Sequence, residues 1–176
     1  MKSQFIGSSL KSVITRKQLS QKILRVDTST PATTVSEHVT NKQRASIDKA
    51  LDYTRSVSDS RFNLEISSLF FGGIISMTGD KYQQNPLVLD FIQAKETQEC
   101  LDAKSKAYEI LAKASNQFTS AEKECIESYA YESLDELMVK TTILVEILDR
   151  LNVSLMDVVD ERMSNWISEG YMRKES

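Results

Sequence analysis

Thr119-Ser120-Ala121-Glu122, Ser133-Leu134-Asp135-Glu136 and Ser154-Leu155-Met156-Asp157 repeat one local signal three times in the last third of the chain. Each sets a hydroxyl where it accepts from the backbone N–H three residues on, with a carboxylate at that third position to bond back. These starts divide residues 119–170 into short or kinked helices and make the fold class all-α. Between the second and third signals, Leu134, Leu137, Met138, Thr141, Leu144, Val145, Leu148 and Leu151 line one broad helical face. Ile143 and Ile147 widen that surface beyond what one neighbouring helix covers, which predicts a central helix or a partner interface. Asn152 ends it, Val153 and Val158 bracket the Ser154 cap as a hydrophobic staple, and Gly170 supplies the final stop.

Working upstream, Asn85-Pro86 pairs an N-cap with a proline at the first helical position, where its missing N–H costs nothing. The helix it starts runs to about Ala114, until Ser115-Asn116-Gln117 breaks it. Residues 62–77 read as a core helix bent or broken at Gly72-Gly73, since each glycine weakens a helix by about 1 kcal/mol. Thr78 to Gln84 reads as a polar loop. Thr40 or Asn41 caps a helix to about Ser58 carrying Ile47, Leu51, Tyr53 and Val57. Thr28 to Asn41 has seven Ser or Thr in fourteen residues and holds Pro31, so it reads as extended chain with no core of its own. Residues 1–26 interleave Lys and Arg with apolar side chains, part of which fits an amphipathic helix from Leu10 to Leu24. The expected architecture is a bundle of five or six helices over 41–172, preceded by a basic, Ser/Thr-rich extended arm over 1–40. Its core should include Leu64, Phe71, Ile92, Leu137, Leu144, Leu148, Val158 and Trp166.

With 176 residues, 40% of them hydrophobic, the chain suits one domain with a real core. Five glycines and two prolines are too few for a turn-rich β-sandwich. No apolar run reaches the roughly 18–20 residues that cross a bilayer. The net charge of −3 conceals a segregation. Residues 1–26 hold six basic side chains and no acid, leaving 16 basic against 25 acidic residues, or −9, over 27–176.

Function classes narrow mainly by absence. The chain has no phosphate-binding glycine loop, no H-E-x-x-H and no C-x-x-C. Its one histidine, His38, lies in the Ser/Thr-rich stretch and reads as a solvated loop side chain. Cys100 and Cys125 sit in acidic helices, which raise a thiol's pKa, and they read as two thiols in a reducing compartment. Intracellular, cytoplasmic residence is expected, with organellar targeting by residues 1–26 left open. Carboxylates are the remaining catalytic material, because two facing helices that each supply a pair can hold Mg²⁺. Glu96-x-x-Glu99 followed by Glu132-x-x-Asp135 resembles the all-helical MazG-type nucleotide pyrophosphohydrolases, although Lys95 stands where that family's first glutamate would be. The resemblance implies Glu96, Glu99, Glu132 and Asp135 as Mg²⁺ ligands; no other cofactor is expected.

The leading expectation is a non-enzymatic interaction or assembly protein, a small subunit or an accessory, viral-type factor. It would bind a protein partner or further copies of itself through Lys11, Arg16, Lys17, Lys22 and Arg25 on the arm and Ile143 and Ile147 on the apolar helix. The Mg²⁺-dependent pyrophosphohydrolase is one alternative. The other is a nucleic-acid-associated regulator using the same basic residues of 1–26.

Overall fold

The computed structural model describes residues 3–79, 85–114 and 117–173. Among them are eight helices and one two-stranded sheet. The chain divides into two compact units, one formed by residues 1–75 with 148–176 and the other by residues 76–147. No helix among the described residues is long and apolar enough to cross a membrane.

The first unit opens with β1 (Ser3–Gln4), then α1 (Gly7–Arg16), α2 (Gln21–Asp27) and α3 (Ala32–Val39). The expected extended arm over 1–40 is therefore corrected to three short helices, and their apolar residues build the core. Ile6, Leu10, Val13, Leu24 and Val35 are all buried, together with Tyr53, Phe62 and Phe70 from later helices. The hydroxyl-rich stretch misleads because its side chains sit at helix ends, where hydroxyls bond the backbone, rather than in helix interiors. Ser20 caps α2 by accepting from the Ile23 N–H. The Thr28 hydroxyl donates to the Leu24 carbonyl at 2.7 Å and meets Thr30 Oγ1 at 2.6 Å, closing the end of α2. Pro31 immediately precedes α3 with φ −55°, a preset suited to starting a helix.

The next helix also starts later than expected. β2 (Ala45–Ser46) pairs antiparallel with β1, Ser3 opposite Ser46 and Gln4 opposite Ala45. Ser46 then caps α4 (Ile47–Val57), its side chain accepting from Lys49 N at 3.2 Å. Asn41, expected as that cap, instead leaves α3 in the left-handed region with φ 55°. Asp59 caps α5 (Ser60–Phe71), and Gly72, at φ 74°, ends it, so of the two outcomes expected at the glycine pair the helix is broken there.

The second unit holds α6 (Pro86–Leu111) and most of α7 (Ser120–Leu151). Asn85 caps α6 as expected, its Oδ1 accepting from Leu87 N at 3.0 Å. Thr119 and Glu122 make a reciprocal box at the start of α7, Thr119 N donating to Glu122 Oε2 at 2.9 Å and Glu122 N to Thr119 Oγ1 at 3.3 Å. The start expected at Ser133 is overturned: α7 runs unbroken for 32 residues. Ser133 turns its hydroxyl back onto the Tyr129 carbonyl at 2.7 Å, a bond that a mid-helix serine makes without interrupting the ladder. α6 and α7 run antiparallel, since Thr97 reaches Glu136, Cys100 meets Ser133, and Lys113 pairs with Glu122. Leu89, Cys100 and Ala107 are buried on α6, and Val139, Thr142 and Val145 on α7. That seam is offset from the expected Leu137 and Leu144, which are exposed, as is Phe71 in the first unit. Leu148 is buried as expected, whereas Leu64, Ile92, Val158 and Trp166 are only half-buried.

The first unit is completed by the end of α7 and by α8 (Leu155–Ser168). The Ser154 signal holds in full: Ser154 Oγ accepts from Asp157 N at 3.2 Å and Asp157 Oδ2 from Ser154 N at 3.1 Å. Leu155 N donates to Ser60 Oγ at 2.8 Å, and Arg61 Nε donates to Asp149 Oδ2 at 3.2 Å. Parts of the expected loop over 78–84 and of the break at Ser115-Asn116 lie outside the described residues.

Candidate functional site

α2 and α3 are joined by the four residues 28–31, and α3 packs on both α1 and α2. This is the connectivity of a helix–turn–helix, in which the second helix is held by the first and presents its outer side. Along α3, Val35 and His38 point into the core, while Thr33, Ser36, Glu37 and, at its C-cap, Thr40 are exposed. Those four lie at positions i, i+3, i+4 and i+7, so one side of the helix is a strip of three small hydroxyls and one carboxylate. A shallow cavity of about 340 Å³ between the two helices is lined by Gln21, Lys22, Arg25, Ala32 and Val35.

The seat of α3 is tightly specified. Gly7 N donates to Asn41 Oδ1 at 2.7 Å, tying the start of α1 to the residue just beyond α3. His38 is buried, and its Nδ1 shares a 2.9 Å hydrogen bond with the hydroxyl of Tyr53 on α4, the rings meeting edge to face. The expectation of a solvated loop histidine is thus overturned. Burial holds the His38 pKa below its ordinary value, outweighing a backbone hydrogen bond to Arg44 and the Glu37 charge, which favour protonation. The unfolded chain therefore takes up the proton before the folded one does. The stability that rests on a neutral His38 is complete above about pH 6.5 and is lost as pH falls through that value toward the depressed folded pKa. Because His38 is the sole histidine, its imidazole gives a single NMR titration. The expected midpoint lies below 6.5, with a parallel fall in melting temperature on acidification; a midpoint above 6.5 would contradict the buried neutral ring.

The basic residues singled out in the sequence divide into two groups. Lys22 and Arg25 are exposed on α2 and rim the α2–α3 cavity, while Lys11 is exposed on α1. Arg16 and Lys17 have a structural task instead. Arg16 bonds the buried Asp59 carboxylate at 2.5 Å, and Lys17 donates to the Ser58 carbonyl at 3.1 Å with the Asp59 Oδ2 at 3.9 Å. Sequence reading missed the exposed Lys42, Gln43 and Arg44 directly after α3, with Arg44 stacked over the Phe5 ring at 4.9 Å. It also missed Thr33, Ser36 and Glu37. Pro31 ahead of a Val35/His38 spacing was the available signal. Residues 1–61 carry eleven basic against five acidic side chains, but the excess belongs to residues 1–26, since residues 27–61 hold five of each sign.

In the second unit, carboxylate oxygens of Glu96, Glu99 and Glu132 lie within 4.8 Å of one another. Asp135, the fourth residue of the expected set, is exposed one turn further along α7 and is not in that group. Lys95 donates to Glu96 at 3.2 Å and to Glu99 at 2.8 Å, and its pKa is raised by those two hydrogen bonds. The grouping is an ion-paired acidic cluster at the α6–α7 surface. Ile147 is exposed and Ile143 half-buried, so of the two expected partner contacts only Ile147 offers a largely open side chain.

Comparison with protein-family models, with curated proteins and with solved structures gives no match to this chain. The resemblance to MazG-type pyrophosphohydrolases therefore rests on those carboxylates alone.

Proposed function

We propose that the first unit is a sequence-reading DNA-binding module, with α3 as the helix that enters the major groove. The observation that carries this reading is the helix–turn–helix of α2 and α3, with the outer side of α3 occupied by Thr33, Ser36, Glu37 and Thr40. An α-helix fits the major groove, hydroxyls there donate to or accept from base edges, and a glutamate accepts from the cytosine amino group. Lys22 and Arg25 on α2 and Lys42 and Arg44 after α3 flank that strip, where phosphate contacts would set the register. The six basic residues of 1–26, with no acid among them, supply the attraction for a polyanion that a net charge of −3 conceals. A purely structural assembly role accounts less well for an outward strip of small polar groups on a helix seated so exactingly. The protein is accordingly read as a DNA-associated regulator.

The test is selection of duplex DNA from a random pool by the full chain, followed by binding titrations on the enriched site. A defined sequence should emerge, with affinity falling steeply between about 50 and 200 mM salt. Lys22→Ala should weaken binding to all sequences alike and reduce the salt slope by about 1, whereas Thr33→Ala should relax preference at one base pair, by about 1–3 kcal/mol. A pool with no enriched sequence, or binding indifferent to salt, would refute the reading.

A further inference from the structure

Within the strip that α3 presents, one side chain has a narrower chemistry than the others. Thr33, Ser36 and Thr40 carry hydroxyls, which donate or accept and so suit any base edge. Glu37 carries a carboxylate, which only accepts. Its backbone is fixed, because the Glu37 carbonyl accepts from Lys42 N at 2.8 Å and Gln43 N at 3.3 Å where the chain leaves α3. Its side chain is not. It is exposed and makes no hydrogen bond or ion pair among the described residues, although the exposed Lys42 and Arg44 follow closely. A carboxylate on a surface that meets DNA is repelled by phosphates, the opposite of what Lys22, Arg25, Lys42 and Arg44 do there. Midway along the strip, that repulsion is offset only where the carboxylate meets a base donor.

We infer that Glu37 is the specificity-determining residue of this surface and selects cytosine in the middle of the DNA site, an inference that rests on the reading of α3 as the groove helix. Seven helical steps from Thr33 to Thr40 span about 10 Å, close to three base-pair steps, so the strip covers a core of about three or four pairs. In the major groove only cytosine and adenine offer an amino donor, whereas guanine and thymine present acceptors that a carboxylate repels. Adenine also sets its N7 lone pair beside the N6 amino group, where it faces the second oxygen of the carboxylate. Cytosine has a C–H at that place. The three hydroxyls tolerate many sequences, and the carboxylate fixes one pair.

Parallel selections from a random duplex pool, with the full wild-type chain and with Glu37→Gln, decide it. The wild-type core should hold one invariant C·G pair, and changing that pair to T·A should weaken binding about tenfold or more. Glutamine bonds adenine N6 and N7 together, so the Glu37→Gln core should carry A·T at that one position and match the wild type elsewhere. Glu37→Ala should bind the C·G and T·A duplexes equally, and the T·A duplex more tightly than the wild type does, since a like charge has left the phosphates. Both variants should keep the wild-type circular dichroism, because the side chain is exposed and unbonded. An enriched sequence with no cytosine in its core, or one that Glu37→Gln leaves unchanged, overturns the inference and leaves the DNA reading standing. A pool with no enriched sequence overturns both.

Discussion

Asp59→Ala is expected to destabilise the first unit by about 3 kcal/mol. Three elements converge on this carboxylate. Its Oδ1 accepts from Phe62 N at 2.8 Å, capping α5, and from the Arg16 guanidinium at the end of α1. Lys17, the next residue, lies 3.9 Å from Oδ2, which makes no hydrogen bond among the described residues. The carboxylate is 2% exposed, whereas the Arg16 side chain keeps about a third of its surface in water, which places the cost at the low end of the range for breaking a buried pair. Asp59→Asn retains a capping oxygen and drops the charge, so it should cost less than alanine, about 1–2 kcal/mol. Urea unfolding followed through Trp166, the only tryptophan and a residue of α8 in the same unit, measures both. Equal losses for the two variants would mean that the ion pair, not the cap, carries the effect; no loss in either would refute the arrangement.

The second large effect is expected at Gly7. A methyl group added there would sit 2.4 Å from Asn41 Oδ1 and 2.5 Å from the His38 carbonyl oxygen. The first contact is the acceptor of Gly7's own N–H, and the second is backbone, so neither can withdraw without disturbing the end of α3. Gly→Ala at a helix start elsewhere is neutral or favourable. Here it should cost about 2–3 kcal/mol and, under the function proposed above, should weaken DNA binding by loosening α3. Asn41→Gly serves as the companion variant, since it relieves the side-chain clash but not the backbone one. Gly7→Ala should therefore remain destabilised in that background, and a Gly7→Ala chain as stable as the wild type would show that α1 and α3 do not approach so closely.

How legible these features were depends on how far each signal reaches. The Asn85-Pro86 start, the boxes at Thr119 and Ser154 and the stop at Gly170 are decided within four residues, and all four stand. Ser133-x-x-Glu136 is the same pattern placed in mid-helix, where nothing upstream stops the ladder; there Glu136 bonds Thr97 and Lys140 instead of the backbone. Residues 28–41 failed as a reading because threonine is a poor interior residue but a good terminal one, and three short helices consist largely of termini. The leucine stripe of α7 was visible, yet its period alone could not say whether Val139 or Leu137 faces inward. Of the candidate site, Lys22 and Arg25 were found by charge. Thr33 and Ser36 were not, since small hydroxyls acquire meaning only once Val35 and His38 are known to be buried beneath them.

The first unit is sewn together across a long excursion of chain. Arg61 meets Asp149, Ser60 meets Leu155 and Ser58 meets Asp157, partners separated by roughly ninety residues. On the ribosome, α1 to α5 emerge long before these partners exist, so this half waits, partly assembled, while the hairpin is made. The packing among α1 to α5 is local in sequence and can form as those helices emerge, whereas these three contacts wait for the chain that follows the hairpin. A chain truncated before residue 148 would leave the Arg61 guanidinium and the Ser60 hydroxyl without those closing contacts.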